Sequence, residues 1–353
     1  MPAWACNADP ARVQGGGSRP WARADQDQTA CGRVCILARS RVYLGAGSAS
    51  GVPAHGAWRP AQRTLGHRGA PLRHIYRLFE RTSRFLFRHF GQIAIGKQLT
   101  VEQIRLSIPG LHPALDGFKI VQLSDFHLYP FTQVSFIREA VARANELRPD
   151  LTVLTGDYVS HIAEAIFELA PALAGLNARL GVFSVLGNHD ISTNRSVVEQ
   201  GLSQVDLAPL HNRSHLFQVG QGQLALAGVD DGWMGRPDLR AALASVPEGV
   251  PVVLLAHEPD LADQFTRHPQ VAVQLSGHTH GGQIRVPRRR PWFLPHLGRK
   301  YDYGLYRVNQ SWLYTNRGLG FGSAPIRINC PPEITEIILI RDDQPPQAQN
   351  GRH

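Results

Sequence analysis

From residue 99 onward, short β-branched apolar runs alternate with stretches whose apolar residues recur at helical spacing. The runs Phe118–Leu123, Leu151–Leu154, Val182–Leu186, Leu224–Val229, Val252–Ala256 and Ala272–Leu275 predict strands. Between them, Val134–Glu146, Ala163–Leu173 and Asp260–Thr266 predict helices. Strands and helices in alternation point to one α/β domain over 99–341.

The rest of the chain reads differently. Residues 1–72 are rich in Gly, Ala, Arg, Ser and Pro and hold no period, which predicts a disordered, low-complexity segment. Residues 73–98 open with RHIYRLFERTSRFLFRHF. On a helix, Ile75, Leu78, Phe79, Leu86 and Phe90 share one broad side, while Arg73, Arg77, Arg81, Arg84 and Arg88 form a stripe on the other. That is a basic amphipathic helix, suited to lying on an anionic membrane surface through 73–90. The competing reading packs its apolar side on the body of the protein. Residues 342–353 are polar and rich in Gln and Pro, which predicts a frayed tail. No run approaches the ~18 apolar residues of a membrane span, and no basic-then-apolar leader opens the chain. The expected location is therefore cytoplasmic, peripheral on the inner face of the membrane.

Charge changes the picture only by where it sits. The formal net charge is +9, which by itself suggests a nucleic-acid or membrane binder. Residues 1–72 contribute +6 and residues 73–97 contribute +5, leaving −2 for everything after them. The basic character thus belongs to the N-terminal quarter, and its arginines carry no base-reading motif. A nucleic-acid partner is not expected. Hydrophobic residues make up 43% of the chain and charged residues 18%, enough for a sizeable core. The four cysteines, Cys6, Cys31, Cys35 and Cys330, form no paired framework, so a reducing compartment is the default.

Five short motifs follow predicted strands: Asp125-Phe126-His127, Gly156-Asp157, Gly187-Asn188-His189-Asp190, His257, and Gly277-His278-Thr279-His280. Loops at the carboxyl ends of strands are where α/β sheets carry their sites. Each motif alone is weak. Asp-x-His and Gly-Asp are common in turns, His257 alone is more often a loop or core histidine, and Asn188–Asp190 suits a helix cap. Together they offer Asp, Asn and His without Cys, an oxygen and imidazole set for Mn, Fe or Zn. Seven such residues exceed what one open ion needs and suit two ions sharing a carboxylate. Asp230 and Asp231 also follow a strand, but read better as a polar turn before Gly232.

The order of these motifs resembles the calcineurin-like metallophosphoesterase superfamily over about residues 110–341. Ala256-His257-Glu258-Pro259, Ser276–Gln283, Leu297–Tyr301 and Asn329–Glu333 resemble in particular a bacterial branch of small phosphodiesterases related to one form of UDP-2,3-diacylglucosamine hydrolase. The resemblance implies a four-layer α/β/β/α sandwich with two divalent cations at the strand carboxyl ends. Asp125, His127 and His280 would hold one cation, Asn188, His257 and His278 the other, and Asp157 would bridge them. A metal-bridged hydroxide would attack the phosphate ester. His189 would stand over the phosphate as a catalytic residue, with Asp190 as its orienting carboxylate. Ser160, three after Asp157, replaces the tyrosine ligand of purple acid phosphatases, and no Asp-Arg-Gly follows Gly156-Asp157 as in Ser/Thr protein phosphatases. Protein phosphatase activity is therefore not expected. A non-catalytic scaffold that keeps the fold and metals is the alternative, but it would have no use for His189.

Just after the last motif, residues 284–300 read IRVPRRRPWFLPHLGRK. Arg288, Arg289 and Arg290 beside Trp292 and Phe293 would suit a lipid-linked or nucleotide-linked phosphate at the mouth of the site. A solvated charge run beside capping aromatics is the competing reading.

Overall fold

The computed structural model describes residues 98–342 apart from 287, 288, 290, 292, 323 and 324. The segment expected to be disordered, the amphipathic stretch 73–90 and the tail beyond 342 lie outside the described residues, as do Arg288 and Arg290.

Eleven strands are described: β1 (Thr100–Pro109), β2 (Phe118–Leu123), β3 (Leu151–Leu154), β4 (Val182–Ser184), β5 (Arg213–Val219), β6 (Gly222–Gly228), β7 (Val252–Leu255), β8 (Val271–Ser276), β9 (Gly304–Val308), β10 (Ser311–Thr315) and β11 (Glu333–Asp342). They form two sheets, ordered β1-β11-β2-β3-β4 and β5-β6-β7-β8-β10-β9. In the first, β2, β3 and β4 run parallel, and β11 lies between β1, which it parallels, and β2, which it opposes. In the second, β6, β7, β8 and β10 run parallel, with antiparallel β5 and β9 at the edges.

The period-2 alternation of the strands explains the layering. Ile120, Leu151, Val153 and Ile337 of the first sheet pack on Leu224, Leu226, Val253, Leu255, Val273 and Leu275 of the second, forming a core between the sheets. The opposite parity faces outward. Val121, Leu123 and Leu154 meet helices α1 (Val134–Glu146), α2 (Ile166–Leu173) and α3 (Asn188–Ser203). Ala225, Ala227, Val252 and Leu254 meet α4 (Leu239–Leu243) and Phe265 of α5 (Ala262–Phe265). The fold is the expected α/β/β/α sandwich. None of the helices among the described residues is long and apolar enough to cross a membrane.

The predicted strands all stand, within one or two residues at their ends. Five others went unread. β1, β5 and β9 lie at sheet edges, where exposed polar residues dilute the pattern. β11 is central, yet its Glu333 and Glu336 are buried in ion pairs with Arg317 and Lys119, so its acids disguise an interior strand. The Asn188–Asp190 turn proves to be the first turn of α3, a helix the polar sequence concealed.

Because β2, β3 and β4 run parallel in one sheet and β6, β7 and β8 in the other, the carboxyl ends of each set share a rim. The two sheets are tied there. The Gln122 side-chain N–H donates to the Ser276 carbonyl (2.9 Å), and the His278 backbone N–H donates to the Asp125 carboxylate (3.0 Å).

Candidate metal centre

The loops leaving that rim are tightly turned. Asp125, Asp157, His127, His278 and His280 all sit at positive φ, between 44° and 73°. Non-glycine residues pay strain for that conformation, and surroundings that over-determine it are typical of functional sites. The glycines are needed for close approach: a Cβ on Gly277 would overlap Ser124 and the Asp125 carboxylate, and one on Gly187 would overlap Asp157.

The side chains converge. Asp125, His127 and His280 form one buried group, and Asp157, His257 and His278 a second. A third group, His127, Asp157 and His189, joins them. One oxygen of Asp157 lies 3.2 Å from Nε2 of both His127 and His257. His280 Nε2 lies 3.4 Å from Asp125 Oδ1 and 2.9 Å from His127 Nε2.

Ring orientation is fixed by the far nitrogen of each histidine. His257 Nδ1 donates to the Thr155 carbonyl (2.6 Å), and His278 Nε2 donates to the His296 carbonyl (2.7 Å). His127 Nδ1 lies 3.2 Å from Ser160 Oγ. Each arrangement leaves a lone pair facing the centre, the pattern in which protein imidazoles ligate metals. Asn188 Oδ1 and His257 Nε2 are buried and without a hydrogen-bond partner. Buried polar atoms are costly to leave unsatisfied, so these two atoms fit a bound cation.

The electrostatics agree for three of the imidazoles and for Asp157. Burial pushes the imidazoles of His127 and His278 down to about 4 and about 3, and His280 well below its usual value, so all three are neutral. Burial also works against the Asp157 carboxylate, but His257 and His189 beside it outweigh that and hold it ionised, well below the ordinary range. Asp125 is raised to about 6, chiefly by burial. Burial works against a His257 cation too, but the Asp157 and Asp125 carboxylates outweigh it and hold that imidazole well above its usual value. This ring must therefore give up a proton to a cation, whereas the other three imidazoles and Asp157 are already in the states metal binding requires.

Asp190 requires a correction. It does not orient the His189 ring. Its Oδ2 accepts the backbone N–H groups of Asp157 and Gly187 (both 2.9 Å), and its Oδ1 those of Tyr158 (2.8 Å) and Val159 (3.2 Å). At the third position of α3 its carboxylate points back over the helix start and staples the Asp157 loop to it. The His189 ring is held instead by the Ser160 carbonyl, which accepts from Nδ1 (3.0 Å), and the His189 backbone N–H donates to Asp157 Oδ1 (2.9 Å). The turn reading of Asp230 and Asp231 stands. Asp230 pairs with Arg195 (2.7 and 2.9 Å), and Asp231 Oδ1 accepts from the Trp233 and Met234 N–H groups. Arg289 is exposed on the loop that leaves the centre.

Sequence reasoning missed the supports. The carbonyls of Thr155, Ser160 and His296 carry no side-chain signature. Arg327 did leave a trace, an arginine between two isoleucines. It is fully buried and donates to the carbonyls of Arg317 (2.9 Å), Gly318 (3.1 Å), Gly320 (3.1 Å) and Cys330 (3.3 Å), with His280 Nδ1 at 3.4 Å. The turn it clasps is bonded to the first ligand loop, Leu319 N–H to Ser124 O (3.0 Å) and Gly320 N–H to Asp125 O (2.7 Å).

A sandwich of this topology with acid and imidazole ligands at its strand ends defines a metal-dependent phosphoesterase. A family model described as calcineurin-like phosphoesterase matches residues 118–282. The uncharacterized metallophosphoesterase YkuE of Bacillus subtilis is 36% identical, over 64% of this chain and 79% of its own length. Phosphodiesterase YaeI of Escherichia coli is 33% identical, over 63% of this chain and 82% of its own. The UDP-2,3-diacylglucosamine pyrophosphatase LpxG of Chlamydia muridarum is 28% identical, over 67% and 88%. The chain belongs to the calcineurin-like phosphoesterase family and is a hydrolase of phosphoric ester bonds that uses a metal centre.

Proposed function

We propose that the protein is a phosphodiesterase working with two divalent cations, and that its substrate is a lipid-linked or nucleotide-linked phosphate at a membrane surface. The overlap of three ligand groups through His127 and Asp157 carries this reading. Asp125, His127 and His280 would hold one cation and Asn188, His257 and His278 the other, with Asp157 shared. When bound, Mn, Fe or Zn would supply Lewis acidity to the phosphoryl oxygens and lower the pKa of water. His189, half-buried at the mouth, keeps Nδ1 on the Ser160 carbonyl and turns Nε2 to the substrate, where it would pass a proton to the leaving oxygen. Asp190 acts through the backbone, holding the Asp157 loop against α3. The relatives YaeI and LpxG, a phosphodiesterase and a pyrophosphatase by name, favour a substituted phosphate over a monoester.

The test compares bis-p-nitrophenyl phosphate with p-nitrophenyl phosphate on metal-stripped protein repleted with Mn²⁺. Mn²⁺-dependent cleavage with the diester faster is expected. A faster monoester would overturn the diester preference, and two bound cations without cleavage of either would favour the scaffold alternative.

Arg327 belongs to this reading as a positioning residue. Arg327→Met is expected to weaken one of the two cation sites, that of Asp125 and His280, by roughly 10–100-fold, the usual cost of losing an outer support. Mn²⁺ titration should then show one tight and one weak site where the parent shows two tight ones. Arg327→Lys should not restore the lost site, because one ammonium cannot span four carbonyls. Equal weakening of both sites would show a merely structural role.

A further inference from the structure

Monomeric proteins rarely cluster large exposed apolar side chains without a partner for them. Among the described residues, Trp233, Met234, Ile284, Val286, Phe293 and Ile326 are six of the eleven such side chains, and Phe293 is 87% exposed. All six belong to loops at the metal centre. The Trp233 ring stands 6.1 Å from that of His278 and 5.6 Å from that of His296. Ile284 follows His280-Gly281-Gly282-Gln283 and pairs with Ile328, two residues after Ile326. The loop that carries Val286 and Phe293 is anchored at both ends on ligands. It leaves at His280, and it returns at His296, whose carbonyl takes the His278 ring N–H. It also folds back on its own start, since a Cβ on Gly282 would overlap Pro291. The exposed apolar groups therefore border the mouth and do not scatter over the surface.

The charge on this loop selects the partner. Residues 284–300 contain six basic residues and no acidic one. Arg285 and Lys300 are paired with Asp302 and Asp263, and Arg288, Arg289, Arg290 and Arg299 add basic charge to the same stretch of sequence, Arg289 being exposed. Apolar side chains interleaved with arginines suit the boundary between headgroups and acyl chains of an anionic bilayer.

We propose that the face carrying the metal centre is a membrane-docking face, with Phe293, Val286 and Ile284 inserted among the headgroups of an anionic bilayer so that the mouth opens onto the lipid surface. The site would then meet its substrate in the plane of the membrane without lifting a lipid into water. What the mouth does there rests on the phosphoesterase reading above; the docking itself does not.

Co-sedimentation of the full chain with vesicles tests this, using phosphatidylcholine alone and phosphatidylcholine mixed with phosphatidylglycerol. The parent should bind the anionic vesicles and release with salt. The double variant Val286→Ser/Phe293→Ser should bind at least about tenfold more weakly, the expected loss for two apolar side chains no longer buried, and Val286→Ser alone should weaken binding while leaving turnover of soluble bis-p-nitrophenyl phosphate unchanged. Phe293→Trp should keep binding. Equal binding by parent and double variant would overturn the proposal, since binding would then lie elsewhere in the chain. So would absence of parent binding, or a concentration-dependent dimer that the double variant abolishes, which would assign the face to a second copy. Vesicle binding without diester cleavage would sink the phosphoesterase reading alone, and cleavage without binding would sink the docking alone.

Discussion

Asp157→Ala is expected to abolish phosphodiester hydrolysis, with kcat/KM at least about 10³-fold lower, or roughly 4 kcal/mol of transition-state stabilisation. The Asp157 side chain reaches a histidine of each ligand group. Its Oδ2 lies 3.2 Å from a histidine of each, and its Oδ1 receives the backbone N–H that places His189. Its surroundings also hold this carboxylate ionised, well below the ordinary range, although burial works against it. Removing it leaves neutral imidazoles with no shared anion between them, so cation stoichiometry should fall along with turnover. Metal analysis of dialysed protein and bis-p-nitrophenyl phosphate kinetics are the two measurements. A variant retaining both cations and full activity would remove Asp157 from the centre of the mechanism.

His189→Ala should behave in the opposite way with respect to metal. The ring touches the centre from the mouth side, with centroids 4.8 Å from His127, and its one identified hydrogen bond goes to the Ser160 carbonyl. Both cations should therefore remain. Turnover should drop by about 10²–10⁴-fold, the span of a lost general acid. The loss should be larger for a diester with an alkyl leaving group than for one with p-nitrophenolate, because a poor leaving oxygen needs the proton more. An equal loss for both leaving groups would recast His189 as a stabiliser of phosphoryl charge. A loss of metal would make it a ligand.

The site was far more legible than the fold around it. Asp125, His127, Asp157, Asn188, His257, His278 and His280 are separated by up to 155 positions, yet each follows a strand end, and parallel strands must gather their carboxyl ends. Residue type and position together thus predicted convergence. Asp190 misled because a carboxylate beside a histidine suggests a side-chain partner, whereas the start of a helix offers it unpaired backbone N–H groups nearer to hand. Arg327 stayed hidden because its partners are carbonyls, which every residue has. β11 stayed hidden for a related reason: its buried acids are legible as interior only once Arg317 and Lys119 are seen against them.

The position of β11 has a consequence for how the enzyme comes into being. Synthesis delivers Asp125, His127 and Asp157 early, but β1 and β2 have no neighbour in common until Glu333–Asp342 is made and slips between them. The turn around Gly318 and Gly320 that braces the Asp125 loop, and the Arg327 that clasps it, also leave the ribosome late. Contacts of such long sequence separation are slow to form. A chain made only as far as Asp157 thus carries part of the ligand set without the strand and the turn that brace it, and the centre reaches its final shape only once β11 has taken its place between β1 and β2.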